Sequence, residues 1–304
     1  MIDVEVVVIG AGPAGLAAAL NLARAARSVV VVDSNRPRHA VSLKSHGFIT
    51  RDGVPPLELR RLGREEIEAY DEVTVVTANV TQVVSDETGV FVTAASRSGE
   101  QYQYRAAHVV VASGLTESFP QIPSLRQFYG TSIHSCMECD AYEYKGAAIG
   151  LIGETEDVAE RALLLSQWSS DVVVFTNGVD CVSEWWAGRL GEAGIAVDRR
   201  PIQDIEGGQG GFITGVRFTD QDFLERRALF VRPQWTANLQ FAAPLQLVTD
   251  ADGLVTVDHL GRTSAHGVWA VGDITPPGPQ QLMIAAGAGQ RVAAAINRSL
   301  VGLG

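Results

Sequence analysis

Residues 4–33 read VEVVVIGAGPAGLAAALNLARAARSVVVVD, and this stretch decides the fold. Val4 to Ile9 is a run of apolar and β-branched residues broken only by Glu5, the pattern of a parallel strand covered on both faces. Pro13 to Arg27 is rich in Ala and Leu and has no β-branched residue, which predicts a helix. Val29 to Val32 is a second strand, ending at Asp33. Between strand and helix stands G-x-G-x-x-G, with Gly10, Gly12 and Gly15. Gly10 permits the turn, Gly12 lets backbone N–H groups approach a pyrophosphate, and Gly15 lets helix and strand pack closely. The helix start at Pro13 and Ala14 supplies partial positive charge for the phosphates. Asp33 follows Gly15 by 18 residues, where a carboxylate can accept the ribose hydroxyls of a dinucleotide.

The same region contains 18 uncharged residues, Val6 to Ala23, long enough to resemble a membrane span. Gly10, Gly12, Pro13, Gly15 and Asn21 interrupt it, and Asp3 and Glu5 precede it where a signal peptide carries basic residues. No targeting segment is read, and a cytoplasmic location is expected. The chain has 304 residues, 46% hydrophobic and 19% charged, enough to build a full core. Its net charge of −11 argues against nucleic acid or an anionic membrane as partner, since both select a basic face. Glycine is abundant, 31 of 304, and the excess sits in loops such as Gly10-Ala11-Gly12 rather than in repeats. Three cysteines are too few for a secreted disulfide scaffold and fit a protein whose cysteines do chemistry.

Further along, Pro55 to Tyr70 reads as a charged helix, and Val73 to Ala95 and Gln101 to Ala112 as strands. Ile149 to Gly153 opens a second strand–turn, followed by a helix from about Glu156 to Trp168 and a strand over Val172 to Thr176. Gly267 to Gly272 reads as a short strand and Ile284 to Leu300 as a helix. Two βαβ units predict an α/β protein with two Rossmann-like dinucleotide-binding domains of three-layer ββα build.

Residues 263–273, TSAHGVWAVGD, resemble the second flavin fingerprint of flavoproteins with two dinucleotide domains, where a strand delivers an Asp to the ribityl chain. That makes Asp273 the ribityl partner and FAD, rather than NAD, the cofactor of the first domain. Cys136-Met137-Glu138-Cys139 is a C-x-x-C pair, whose spacing allows a small disulfide ring. Half of a zinc site is the competing reading. It needs two more ligands, and Cys181 and His134 are the only remaining cysteine and the only nearby histidine. No metal is therefore assigned, and Cys181 reads as a small buried apolar residue. Asp140, directly after the pair, can protonate a leaving thiolate or accept a thiol proton, unless it is a solvated turn residue.

Taken together, Gly10 to Gly15, Ala112-Ser113-Gly114, Cys136 to Asp140, Gly272-Asp273 and Gln281 to Gly287 resemble the low-molecular-weight thioredoxin reductase family over nearly the whole chain. The resemblance implies a discontinuous FAD domain (1–115 and 233–304) around an NAD(P)H-like domain (116–232) carrying C-x-x-C, and a homodimer. It implies that Cys139 faces the flavin, that Cys136 exchanges with substrate sulfur, and that Asp140 is the acid/base. Gln281 and Leu282 would lie by the isoalloxazine, His46 and Gly47 on its other side, and Val80 would meet adenine through its backbone. Ala112, Ser113, Gly114 and Gly272 complete the cofactor set. Residues 46–53, HGFITRDG, and 162–175, ALLLSQWSSDVVVF, look closer to the gliotoxin- and holomycin-type dithiol oxidases, which close a disulfide in a small dithiol and pass electrons through FAD to oxygen. That branch usually has His after the second cysteine, where Asp140 stands here, so the substrate class is left open.

The second glycine loop, Gly153-Glu154-Thr155-Glu156-Asp157-Val158, keeps the first glycine but has Thr155 at the second. A Cβ there fills the space a pyrophosphate needs. Each nearby acid repels it by about 0.7 to 2.8 kcal/mol at about 6 Å, for effective dielectrics of about 80 to 20. The His-Arg-Arg cluster that holds the 2′-phosphate in thioredoxin reductases is replaced by Thr176-Asn177-Gly178, with Arg199 and Arg200 the candidate substitutes. NADPH is therefore not expected. Two functions stay open. One is a dithiol oxidase using dioxygen. The other is a thioredoxin or disulfide reductase fed by ferredoxin, another flavoprotein or a degenerate nicotinamide site. A small dithiol or a protein disulfide such as thioredoxin is the partner. Arg60-Arg61 with Arg64, or Arg226-Arg227, read as solvated faces that could dock an acidic ferredoxin. A flavin-binding protein without turnover is a third class, disfavoured by the intact C-x-x-C-Asp.

Overall fold

The computed structural model describes residues 1–208 and 210–303. The chain divides into two compact units. Unit 1 comprises Met1–Ala40, Gly47–Thr116 and the segment from Trp235 to the C-terminus, and unit 2 comprises Val41–His46 and Glu117–Gln234.

Unit 1 begins with β1 (Ile2–Ile9), α1 (Pro13–Arg24), β2 (Val29–Asp33), α2 (Pro56–Glu68), β3 (Val73–Thr77), β4 (Asn79–Asp86), β5 (Gly89–Ala95) and β6 (Gln101–Val111). Strands β3, β2, β1 and β6 run parallel in that order, and β5 and β4 continue as an antiparallel meander. Along β1, Val6 and Val8 enter the core shared with the helices, while Val7 and Ile9 enter the core on the opposite face. Both faces are covered, so the run carries no polar alternation. Burying each such Val contributes roughly 1.5–3 kcal/mol before entropy is counted.

Helix α1 stops three residues short of the expected Arg27. Ala26 takes φ +55. The Ala26 N–H donates to Ala23 O at 2.8 Å and the Arg27 N–H to Leu22 O at 3.1 Å, which is a Schellman cap on alanine rather than glycine. Arg27 is spent outside the helix, on Glu5 at 3.0 Å. The strands read over 73–95 are β3, on the parallel sheet, and the hairpin β4–β5. Val6–Ala23 is strand, turn and helix, and among the described residues no helix is long and apolar enough to cross a membrane.

Strand β7 (Leu115–Ser118) carries the chain out of unit 1. Unit 2 then runs α3 (Leu125–Phe128), β8 (Ile133–His134), α4 (Met137–Asp140), β9 (Ile149–Ile152), α5 (Val158–Leu165), β10 (Val172–Phe175), α6 (Glu184–Glu192), β11 (Ala196–Asp198), β12 (Ile202–Gly207), β13 (Ile213–Phe218), β14 (Phe223–Glu225) and β15 (Ala228–Val231). A parallel sheet in the order β11-β10-β9-β15-β8 separates two cores. Val172 and Val174 of β10 face the α5–α6 side, and Val173 and Phe175 face the antiparallel β12-β13-β14 sheet.

The chain returns through β16 (Gln234–Ala237) to β17 (Val268–Ala270) and α7 (Leu282–Leu300). The expected strand over Gly267 to Gly272 shortens because Gly267 and Gly272 take φ +74 and +79 and end it on either side. Strand β6 has two partnerships: Gln101 to Ala106 pairs antiparallel with β5, and Val109 to Val111 pairs parallel with β17. Helix α7 packs on α1 at Gly289, where a Cβ would lie 2.0 Å from Ala14 O. Each unit is thus helices, parallel sheet and antiparallel sheet in three layers.

Candidate active site

In unit 1 the first glycine loop has the shape its residues dictate. Gly10 takes φ +103, and a Cβ there would sit 2.5 Å from Ala112 O. A Cβ on Gly15 would lie 1.9 Å from Gly10 O, so α1 starts against the turn itself. Gly12 is different, since a Cβ on it meets nothing within 4 Å. That open face at the start of a twelve-residue helix is the cradle a pyrophosphate requires. Gly272 lies behind it, its missing Cβ 2.9 Å from Ala14 Cβ, so the two flavin fingerprints meet. The residues therefore fit FAD.

Asp33 is 7% exposed and holds the loop from below. Its Oδ1 accepts from Ala11 N–H at 3.0 Å and its Oδ2 from Asn35 N–H at 3.0 Å and from Arg60. Arg60 Nε also donates to Ala11 O at 3.2 Å. Arg60 is 8% exposed, which corrects its reading as part of a solvated basic face; Arg226, also 8% exposed, is corrected in the same way and pairs with Asp171 at 3.3 Å. Asp273 is met by Arg38 at 2.7 Å. The neighbouring His39 is pushed below the ordinary histidine range by burial and then by Arg38.

The other expected cofactor residues are spread over both units. Val80 is half-buried on β4, and Ala112, Ser113 and Gly114 follow β6, with Ala112 N–H on Ile9 O at 2.9 Å. Gln281 is the N-cap of α7 and Leu282 its first residue. Gly47 is in unit 1 with φ +75, whereas His46 groups with unit 2, its Nε2 3.5 Å from Glu143.

In unit 2, Cys136 and Cys139 form a disulfide with Cα atoms 5.3 Å apart. Met137 and Ala141, one turn apart and 1% and 0% exposed, anchor α4 in the core and leave both cysteines half-buried. The Cys139 N–H donates to Cys136 Sγ at 3.2 Å. Asp140 follows with its carboxylate turned inward, Oδ1 lying 3.3 Å from Nδ1 of buried His134. Cys181 is half-buried, its thiol pushed up by burial, with Sγ 3.5 Å from Gly153 O.

The second glycine loop is filled by its own side chains. Glu154 Oε1 accepts from Asn177 Nδ2 at 2.8 Å, and Asp157 accepts from Thr155 Oγ1 at 2.6 Å and from Arg232 Nε at 2.5 Å. Burial pushes the Asp157 carboxyl up, but Thr155 and Arg232 outweigh it and hold it below the usual carboxylate range. Arg200 stacks on Phe218 at 3.9 Å and bonds Asp198, Asp220 and Asp222, while Arg199 donates to Val182 O at 2.9 Å.

Sequence reasoning missed Arg38 and Arg60, which reach the two site aspartates from outside the motifs. It also missed Tyr144, which meets His134 at 3.1 Å. The one available signal for Arg60 was its register four residues after Pro56 and seven before Ile67, on the buried stripe of α2.

The family profile described as Pyridine nucleotide-disulphide oxidoreductase matches residues 4–289. The Claviceps purpurea protein thioredoxin reductase tcpT is 29% identical over 289 residues, covering 89% of this chain and 86% of that one. The crystal structure of HlmI superposes with TM-score 0.91 at 34% identity, covering 99% and 93% of the two chains. A Bacillus anthracis protein assigned to the thioredoxin reductases, TrxB, superposes with TM-score 0.90 at 34% identity, covering 98% and 99%.

Proposed function

Because the chain belongs to the pyridine nucleotide-disulphide oxidoreductase family and is an FAD-dependent thiol–disulfide oxidoreductase of the thioredoxin reductase type, we propose that it closes a dithiol to a disulfide without a nicotinamide coenzyme, with dioxygen as final acceptor. Unit 1 holds FAD through the glycine loop, Asp33, Asp273 and the α7 start, and unit 2 carries the exchanging sulfurs. The observation that carries this reading is the second glycine loop. A pyrophosphate there would meet the Thr155 side chain, the Asp157 carboxylate bound to it and the Glu154 side chain held by Asn177, in place of open backbone N–H groups. Arg199 and Arg200 are both committed to other partners, so neither offers a clamp for a 2′-phosphate.

Electrons must then enter from the thiol substrate. A substrate thiolate attacks Cys136 Sγ, and the Cys136–Cys139 bond breaks with its electron pair on Cys139 Sγ. The second substrate thiolate attacks the substrate sulfur of the mixed disulfide and releases Cys136 as thiolate. The Cys139 N–H aimed at Cys136 Sγ stabilises negative charge on that sulfur. Asp140 supplies and receives the protons. FAD, when bound, supplies the two-electron acceptor that restores the disulfide.

A second reading is a thioredoxin or disulfide reductase fed by a ferredoxin-type donor. Asp140 favours it, since reductases of the family carry Asp at that position. A homodimer and a cytoplasmic setting belong to either reading. The test is an anaerobic titration of the yellow protein, first with NADPH and then with dithiothreitol. The flavin should keep its oxidised spectrum with NADPH and bleach with the dithiol. Rapid bleaching by NADPH would overturn the reading of the second glycine loop.

A further inference from the structure

We propose that Asp140 does not work alone: His134 and Asp140 hold one proton between them beside the disulfide, and Tyr144 enforces this by fixing which ring nitrogen of His134 is the donor. The role given to that proton rests on the dithiol–disulfide exchange proposed above for Cys136 and Cys139.

The argument is one of donors and acceptors. His134 is 7% exposed, on β8. Its Nε2 lies 3.1 Å from Tyr144 Oη, and Tyr144 Oη lies 2.9 Å from Thr131 O. A carbonyl only accepts, so the single phenolic proton goes to Thr131. Burial, and then the Asp140 charge, raise Tyr144 above the usual phenol range, so it keeps that proton. Tyr144 Oη can then only accept from His134, which puts a proton on Nε2. A neutral ring has no second proton, leaving Nδ1 as a bare lone pair. Nδ1 is buried without a hydrogen bond, and the group facing it is Asp140 Oδ1 at 3.3 Å.

The buried Nδ1 lone pair and a carboxylate oxygen 3.3 Å away repel each other, and one proton placed between them removes that cost. The proton sits on Nδ1, as imidazolium and carboxylate, or on Oδ1, as imidazole and carboxylic acid. Either form is neutral overall. Neutral histidine beside ionised aspartate is the form this arrangement penalises. The other sides of the ring do not relieve it. Phe230 closes one face at 5.8 Å, and the remaining charges nearby, Glu143 and Arg227, act on Tyr144.

In turnover the shared proton goes to Cys139 Sγ as the disulfide opens. The second substrate thiol, on becoming the attacking thiolate, returns its proton to the pair. The substrate loses two electrons in forming its disulfide, and the cysteines gain them as a Cys139 thiol and a Cys136 thiolate. The first substrate proton leaves to solvent. His134 acts through Asp140 and is a positioning residue.

The test has two arms on the FAD holoenzyme. In ¹⁵N-histidine NMR of the oxidised protein, the His134 ring, identified by its loss in His134→Gln, should carry a proton on Nε2. It should be either doubly protonated, or singly protonated with a carboxylic-acid infrared band that Asp140→Asn removes. A neutral ring protonated on Nδ1 beside an ionised Asp140 would overturn the proposal. In the second arm, anaerobic bleaching by dithiothreitol should slow about 100-fold, the low end for a general acid–base group, in His134→Gln, which keeps an N–H for Tyr144 but cannot hold the proton. Its rate–pH profile should lose the limb that Tyr144→Phe only shifts. Unchanged profiles in both variants would overturn the proposal. A wild-type protein that no dithiol bleaches would instead refute the exchange reading, with the NMR arm still deciding where the proton lies.

Discussion

Gly12 and Gly15 stand three residues apart in one motif, yet their replacement by alanine should have opposite consequences. Gly12 has φ −80 and ψ −179, a conformation open to any residue, and an added Cβ meets nothing within 4 Å. Gly12→Ala should therefore fold with unchanged stability, or gain about 0.4–1 kcal/mol from a stiffer unfolded chain. The methyl group points into the pyrophosphate cradle. Losing one charge-assisted hydrogen bond from the loop, at about 1.5–3 kcal/mol, weakens FAD about 10- to 150-fold. Gly15→Ala places its Cβ 1.9 Å from Gly10 O and 3.2 Å from Val8 Cγ1, so α1 must retreat by more than ~1 Å. That variant should lose about 1–3 kcal/mol of apoprotein stability along with FAD. Urea midpoints of the apoproteins and fluorescence titration with FAD separate the two effects. If Gly12→Ala bound FAD as tightly as the wild type, or lost stability to the extent of Gly15→Ala, the cradle would have been misplaced.

The remaining expectations concern sulfur, a buried ion pair and acid. Cys136→Ser and Cys139→Ser should each keep the yellow flavin and fail to turn over dithiols; normal turnover in either would remove the pair from the reaction. Arg60→Met leaves the buried Asp33 carboxylate without its cation and should lower stability by about 3–5 kcal/mol, so a urea-midpoint change worth under about 1 kcal/mol would contradict the clamp. His108 Nδ1 accepts from Trp269 Nε1 at 3.3 Å, and burial, then His266 and Arg262, push the ring below the ordinary histidine value. Its folded value lies below its unfolded one, so the unfolded chain binds the proton first. The stability it lends is full above about pH 6.5 and is lost as the pH falls through the folded value. Melting temperature should drop between pH 7.5 and 5.5, less steeply in His108→Asn; equal slopes would assign the acid sensitivity elsewhere, His39 being the next candidate.

Much of unit 1 was readable because its signals are local. Gly10 is demanded by a turn at φ +103 and Gly15 by the approach of Gly10 O, both inside one six-residue motif that Gly12 completes, and the run Val6 to Val8 of β1 follows from burial on both faces. The C-x-x-C pair is equally local. What escaped was set by distant partners. Arg60 looks solvated in its own helix, and only the fold brings Asp33 beneath it. His134 and Tyr144 stand ten residues apart on either side of the C-x-x-C pair and belong to no motif themselves, and His134 is placed by the pairing of β8 with β15. The early end of α1 was missed because alanine, a strong helix former, occupies a left-handed cap where glycine would have announced the stop.

Strand β6 joins β5 along one half and β17 along the other, and α7 covers α1. During synthesis the first 111 residues emerge with one sheet edge and one helical face uncovered, and their closing pieces, β17 and α7, lie beyond position 260. Unit 2, whose segment 117–234 is nearly continuous, can acquire its shape on the ribosome while unit 1 waits. Unit 1 is therefore completed only once α7 has emerged, and contacts of such long sequence separation make that closure slow. Removing α7 would take Gly289 away from Ala14 and uncover α1 where it leaves the glycine loop.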